Sequence, residues 1–320
     1  MKCTDMAGKV RTVLATTSSF GSGAPGLLET LRAQGLAVIG NPHGRKLRED
    51  ELGVLLAEHR PVGLLAGTEP ITWSVLEEAR DYLKVISRVG AGWDNVDHDA
   101  AAHLGIRVYR TEGVLTQAVA ELTLGLMLAG LRAIALQDRM LRQGQWQKLM
   151  GGLLQGKLVG IIGFGAIGRR VGELVRAFGA EVRYCDVQAR EVPWARRVTL
   201  AEILTSSDII TLHASGKKCI LGSEEFKSLG KRGVLLINTA RGELIDETAL
   251  GVCLAEGWVG GACLDVFFEE PYGGPLCSQN NVILTPHIGS YAREARQLME
   301  ETAVGNLLRG LREAGLIENP

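Results

Sequence analysis

The 320 residues carry 35 Lys+Arg against 36 Asp+Glu, a formal net charge of −1, and 46% of them are hydrophobic. So even a balance, with no dense Lys/Arg stripe, excludes an electrostatic binder of nucleic acid and favours a small diffusible partner. Length and apolar content together suit two domains, each with its own buried core.

The six cysteines (Cys3, Cys185, Cys219, Cys253, Cys263 and Cys277) form no CxxC pair and have no histidine at metal-ligand spacing. Reduced thiols and no metal site are therefore expected. The N-terminal stretch MKCTDMAGKVRTVLATT lacks the apolar run of a signal peptide. The most apolar long segment, Leu122 to Leu136, is interrupted by Arg132 and is too short to span a bilayer. A soluble cytoplasmic protein without a membrane partner is the expectation.

Short apolar runs alternate with helix-length segments, which predicts an α/β fold with doubly wound parallel sheets. Strands are predicted at Val10–Ala15, Leu36–Asn41, Val62–Ala66, Val85–Arg88 and Ile106–Tyr109, with helices at Pro25–Gln34, Thr72–Tyr82 and Asp97–Leu104. A single long helix is then predicted from Thr116 to Arg142, apolar on most faces as far as Leu136. Such a helix must be buried, inside the chain or against a second copy, and the second option makes a homodimer the expected assembly. From Lys157 the run LVGIIGF (158–164) reads as a central parallel strand covered on both faces. Further strands are predicted at Glu181–Cys185, Asp208–Leu212, Val234–Asn238, Gly261–Asp265 and Val282–Thr285, and a last helix runs from beyond Ser290 to about Leu311.

The motif GFGAIG (163–168) sits where that strand passes into a helix. In this setting Gly163 permits the tight turn, Gly165 lets backbone approach a pyrophosphate, and Gly168 lets helix pack on strand. The first-turn amides of Ala166 and Ile167 can hold the anion. Asp186 closes the next strand, VRYCD, 18 residues after Gly168, where a carboxylate can accept hydrogen bonds from a ribose diol. That carboxylate would repel a 2′-phosphate, so NAD is expected over NADP, although Arg190 lies near enough to soften the preference. Methyltransferases and flavoproteins also use glycine-rich first turns.

Three further segments fall at strand ends: NTARG (238–242), LDVFFEEP (264–271) and TPHIGS (285–290). Arg241 can pair bidentately with a carboxylate and polarise the neighbouring carbonyl. His287 can exchange a proton near neutral pH. Glu270 beside it would fix the imidazole tautomer and stabilise its cation. Taken singly, a surface arginine, a turn glutamate and a core histidine explain them equally well; their shared position beside a nucleotide site points to hydride transfer at a hydroxy acid.

With GFGAIG and Asp186, these segments resemble the D-isomer-specific 2-hydroxyacid dehydrogenase family, in its phosphoglycerate dehydrogenase-like branch. The resemblance implies an NAD-dependent enzyme interconverting a small 2-oxo acid and its D-2-hydroxy acid. It implies a split substrate domain (1–114 and 291–320) around an NAD-binding domain (115–290), with catalysis in the cleft. It gives Arg241 the substrate carboxylate and oxo group, His287 the acid/base role, and Glu270 the support of His287. Asp265 would contact the nicotinamide end, with His213, Thr239, Ala240, Ile288, Gly289 and Ser290 lining the same pocket. SRVGAGWDNVD (87–97) contains a glycine-rich turn able to bind an anion, and the resemblance assigns the substrate carboxylate to amides of Val89, Gly90, Ala91 and Gly92.

Two departures from the family pattern stand out. Where relatives read LHxPLTxxT, this chain has LHASGKKCILG, with Ser215 at the proline position and Lys217 and Lys218 following. The loop AGTEP (66–70) lacks the arginine that phosphoglycerate enzymes place there; Arg45 and Lys46 would be the substitutes. No regulatory domain is expected beyond the last helix. A phosphoglycerate dehydrogenase and a glyoxylate/hydroxypyruvate-type reductase both fit. The alternatives are an NAD-sensing corepressor-like regulator, which the complete Arg–Glu–His set opposes, and a phosphite-type dehydrogenase on the same fold.

Overall fold

The computed structural model describes residues 10–17, 20–21, 24, 26–188, 191–216 and 218–318, and divides into two compact units, 1–115 with 290–320 and 116–289. Cys3, Pro25, Arg190 and Lys217, and the features assigned to them, lie outside the described residues.

In the first unit, strands β1 (Arg11–Ala15), β2 (Leu36–Gly40), β3 (Gly63–Ala66), β4 (Val85–Arg88) and β5 (Arg107–Arg110) form one parallel sheet in the order β2-β1-β3-β4-β5. Alternation along each strand sends neighbouring side chains to opposite faces. Leu14, Leu64 and Ile86 pack beneath α2 (Glu49–His59), α3 (Trp73–Ala79) and α4 (His98–His103). Val13, Leu65 and Val85 pack beneath α1 (Gly26–Ala33) and the final helix, Arg293–Glu313, through its Met299, Ala303, Leu307 and Leu311. The chain leaves β1 for β2 on one side and returns to β3 on the other. The topological switch point, where open α/β sheets bind ligands, therefore lies between the ends of β1 and β3.

In the second unit, strands β6 (Leu158–Ile162), β7 (Glu181–Cys185), β8 (Arg196–Arg197), β9 (Ile209–Leu212), β10 (Val234–Asn238), β11 (Val259–Leu264) and β12 (Val282–Leu284) form a parallel sheet. Their order, β12-β11-β10-β9-β6-β7-β8, is that of a dinucleotide-binding fold, with its switch point between β6 and β9. Helices α5 (Thr116–Leu131) and α7 (Ala166–Ala177) cover one face; α8 (Leu200–Ser206), α9 (Ser223–Ser228) and α10 (Glu247–Ala255) cover the other. The two-residue edge strand β8 was not predicted. It is a pair of exposed arginines, as suits an edge that must not recruit another strand.

One expectation is corrected. The predicted helix 116–142 is two helices, α5 and α6 (Ile134–Arg142), bent by 61°. The break lies at Ala133, which adopts a left-handed conformation (φ 47°). Its cause is the returning chain: the Gly152 amide donates to the Leu131 carbonyl at 2.9 Å, capturing an acceptor that a continuing helix needs. Helix α5 buries Val119, Ala120, Thr123, Leu126 and Met127, whereas α6 buries no residue. Among the described residues no single helix is long and apolar enough to cross a membrane.

Candidate active site

At the β6–β9 switch point the glycines of GFGAIG divide the work as their chemistry requires. Gly163 has φ 91°, and a Cβ there would fall 2.5 Å from the His213 carbonyl carbon. A Cβ on Gly168 would fall 2.1 Å from the Gly163 carbonyl oxygen. Gly165 instead faces open space, with nothing within 4 Å of its Cβ position, and caps α7. Ala166 and Ile167, in the first turn of α7, have amides without intrahelical acceptors. This cradle fits a pyrophosphate.

Asp186 is half-buried at the end of β7. Its carboxylate accepts from the Phe164 amide at 2.5 Å and the Gln188 amide at 2.7 Å, so it is aimed back at the glycine turn with one lone pair per oxygen left for a ribose. The Arg197 guanidinium donates to the Asp186 backbone carbonyl at 2.8 Å, a cation at the end of β7 that the sequence reading missed.

His213 continues the β9 ladder, its amide donating to Ile162 O at 2.7 Å. Its Nε2 lies 3.0 Å from Thr211 Oγ1, and its Nδ1 is buried without a partner among the described residues. Burial lowers its pKa to about 3, so the imidazole is neutral. Its backbone, rather than its ring, is what meets the glycine turn.

The ends of β10, β11 and β12, adjacent in the sheet, bring together the three catalytic candidates. His287 Nδ1 lies 2.9 and 3.1 Å from the two Glu270 carboxylate oxygens. Both side chains keep solvent access, at 42% and 30%. Glu270 Oε1 also accepts from the Phe267 amide at 3.2 Å. With Nδ1 donating to Glu270, the His287 tautomer leaves Nε2 for exchange with a ligand. Arg241 follows β10 in extended conformation and donates to the Ala240 carbonyl at 2.7 Å.

Residues beyond the three catalytic candidates build this geometry. Asn238 donates to Arg241 O at 2.8 Å and accepts from the Ala240 amide at 3.0 Å, which folds the NTARG turn. Thr239 Oγ1 meets Thr123 Oγ1 of α5 at 2.9 Å. Gly242 lets the second loop close in: a Cβ there would fall 1.9 Å from the Phe267 carbonyl carbon. Glu247 accepts from the Phe268 amide at 2.7 Å. Asn238, Thr239 and Gly242 fall inside the NTARG segment already read from the sequence, whereas the contacts of Thr123 and Glu247 act across spans without sequence periodicity.

Asp265, 1% exposed, accepts from Thr285 Oγ1 at 2.6 Å, the Ile288 amide at 2.8 Å and the Gly289 amide at 2.9 Å. Burial pushes its carboxyl above the usual range, against the pull of those donors and of His287. The amides of Ile288 and Gly289, expected to line the pocket, are thus spent on Asp265, whose carboxylate clamps the His287 loop. Ser290 falls in the first unit.

Val89–Gly92 also belong to the first unit, at the end of β4. There the Val89 amide donates to Ala66 O at 2.9 Å and the Gly90 amide to Arg88 O at 3.0 Å. These two shape the turn, so the anion site narrows to the amides of Ala91 and Gly92. Arg45, the substitute phosphate cation, is held bidentately by Glu51 at 2.6 and 2.9 Å. Lys46 is exposed, and so are Ser215 and Lys218 in the altered loop.

A dinucleotide cradle with a ribose carboxylate and an Arg/Glu/His cluster on neighbouring strand ends defines a nicotinamide-dependent dehydrogenase. Comparison with known proteins agrees. Residues 124–289 match the profile of the D-isomer specific 2-hydroxyacid dehydrogenase, NAD binding domain. A glyoxylate reductase of Thermococcus litoralis is 40% identical over 275 residues, covering 80% of this chain and 82% of that protein. A D-3-phosphoglycerate dehydrogenase of Methanocaldococcus jannaschii is 38% identical, covering 85% of this chain and 53% of that protein. The crystal structure of a D-lactate dehydrogenase from Aquifex aeolicus, complexed with NAD and lactic acid, superposes with TM-score 0.81 at 26% identity, covering 95% of this chain and 96% of that one. The chain belongs to the D-isomer-specific 2-hydroxyacid dehydrogenase family, and its chemistry is NAD-dependent interconversion of 2-oxo and D-2-hydroxy acids.

The neutral His213 carries a pH signature. Unfolded, its imidazole takes up a proton below about pH 6.5, whereas the folded form resists until about pH 3. The unfolded state therefore binds more protons in that window, and the stability His213 contributes is lost as pH falls through it. In urea unfolding between pH 4 and 7, His213→Asn should flatten the acid-side decline by up to about 1.4 kcal/mol per pH unit relative to wild type. An unchanged slope would show that His213 titrates normally.

Proposed function

We propose that the enzyme works as a reductase of a small 2-oxo acid with NADH, of the glyoxylate or hydroxypyruvate type. The observation that carries this is the His287–Glu270 pair beside Arg241. Gly163–Gly168 would hold NADH, which would supply the hydride for the substrate's C2. Arg241 pairs with the substrate carboxylate and draws density from the oxo oxygen. His287 Nε2 delivers the proton to that oxygen as the carbonyl becomes a secondary alcohol, while Glu270 holds the imidazolium in register. Reduction is the favoured direction because oxo acids lie uphill of hydroxy acids at neutral pH. The T. litoralis relative's name, glyoxylate reductase, supports this reading over a phosphoglycerate dehydrogenase, as does the engagement of Arg45 by Glu51.

We further propose a homodimer in a reducing, cytoplasmic compartment. Ile134, Leu141, Trp146, Met150 and Leu153 are all exposed within one stretch, Trp146 to 82% and Met150 fully, a density of apolar side chains that favours cover by a second copy. The cysteines at 185, 219, 253, 263 and 277 are thiols, and burial pushes that of Cys263 to about 12.

A panel of glyoxylate, hydroxypyruvate, pyruvate, branched oxo acids and 3-phosphohydroxypyruvate, each with NADH and NADPH, should show turnover of unphosphorylated acids with NADH preferred. Oxidation of NADH by none of them would refute the reading. His287→Asn should lower kcat at least about 100-fold while NADH affinity, read by fluorescence titration, stays within a few-fold. Unaltered turnover would remove His287 from proton transfer. Sedimentation equilibrium should give twice the 34.4 kDa chain mass, and Trp146→Asp with Met150→Asp should shift it towards the monomer; a monomeric wild type would refute the dimer.

A further inference from the structure

Helix α5 is apolar along most of its length, yet Thr123 stands within it at 0% exposure. A buried hydroxyl is costly unless it is hydrogen-bonded, and threonine forms helix less readily than alanine or leucine. Valine would fill nearly the same volume without the cost of a buried hydroxyl. A hydroxyl kept at such a position is explained by its bonds. Thr123 Oγ1 donates to Val119 O, one turn back, at 2.7 Å, and meets Thr239 Oγ1 at 2.9 Å.

The first bond fixes the sense of the second. A hydroxyl carries one hydrogen, and that of Thr123 is committed to Val119 O, so Thr239 is the donor across the pair. Thr239, 8% exposed, directly follows β10 and stands two residues before Arg241. Asn238 holds the turn together from within, through the Ala240 amide and the Arg241 carbonyl, and Thr239 ties that turn to the helix. The same helical turn meets a second loop, for Val119 Cγ2 lies 3.4 Å from where a Gly289 Cβ would stand. Gly289 is two residues beyond His287, and its amide donates to Asp265. The loops that carry Arg241 and His287 are thus both met by one turn of α5, at Thr123 and at Val119.

We propose that Thr123 is a positioning residue for the reduction, acting through Thr239 to hold Arg241 at its working place relative to His287. This rests on the 2-oxoacid reductase reading, in which those two side chains act on neighbouring atoms of one substrate. Displacing either group by about 1 Å costs such a reaction about 100-fold. Cofactor affinity should not follow, because the Gly163–Gly168 cradle lies at the end of β6, two strands away from β10 in the sheet.

The experiment measures kcat/KM for the 2-oxo acid of the panel that wild type reduces fastest, per NADH site counted by fluorescence titration. It compares wild type, Thr123→Val, Thr123→Ser, Thr239→Val and the double valine variant. Thr123→Val should lose about 10- to 100-fold in kcat/KM while the NADH Kd stays within about threefold. Thr123→Ser, which keeps the hydroxyl, should stay within about threefold of wild type. In the Thr239→Val background, adding Thr123→Val should cost less than about twofold, because the bond it removes is already gone. Thr239→Val leaves α5 unaltered and should show the same loss should Thr123→Val fail to fold. Undiminished kcat/KM in Thr123→Val or Thr239→Val, an equal loss in Thr123→Ser, or losses that multiply in the double variant would each overturn the proposal. Failure of wild type to reduce any 2-oxo acid would instead overturn the reductase reading.

Discussion

The catalytic cluster depends on one buried carboxylate, that of Asp265. His287 holds a left-handed backbone (φ 53°), which costs a residue other than glycine about 1–2 kcal/mol. The conformation persists because its surroundings over-determine it. The His287 amide donates to both Asp265 O and Thr285 O at 2.9 Å, and the residues on either side of it donate to the Asp265 side chain. Hydrogen bonds to a charged acceptor contribute about 1.5–3 kcal/mol each, so three of them outweigh the backbone cost. They also offset the desolvation that raises the carboxyl pKa. The left-handed turn is what aims the imidazole at Glu270.

The same loops lean on α5. Thr123 bonds Thr239 beside Arg241, the Cys263 thiol donates to Leu126 O at 3.3 Å, and Val119 lies against Gly289. One helix face therefore touches the loops that carry Arg241, Asp265 and His287. Beyond the bend at Ala133, the chain turns its apolar side chains outward. A helix apolar on nearly all sides thus has two separate reasons for being so, internal support at one end and an exposed apolar surface at the other.

What was legible in the sequence follows from which constraints are local. GFGAIG could be read because turn, approach and packing are each met by a glycine within six residues. The doubly wound sheets could be read because β6, β9 and β10 are mostly apolar runs, buried along almost their whole length. Arg241, Glu270 and His287 could be nominated by residue type, but their convergence could not, since it depends on β10, β11 and β12 lying side by side. The 61° bend was invisible because no proline or glycine lies at 132–134; a backbone contact from Gly152 imposes it. Asp265 as a clamp and Asn238 as a turn former were illegible for the same reason, since hydrogen bonding after folding defines their roles.

Set against each other, the two switch points show why one fold type serves two tasks. In the second unit the edge at β6 and β9 is almost uncharged: open glycine backbone, a neutral imidazole and helix amides, with a single carboxylate set apart at the end of β7. Such a surface suits a long polyanionic cofactor, whose phosphates backbone donors can hold. In the first unit the edge at β1, β3 and β4 buries the Arg88 guanidinium and the Glu69 side chain, with Asn95 accepting from Arg88 Nε and donating to the Glu69 backbone carbonyl. The two edges therefore differ in what they present: bare glycine backbone and helix amides in the second unit, a hydrogen-bonded network of buried side chains in the first.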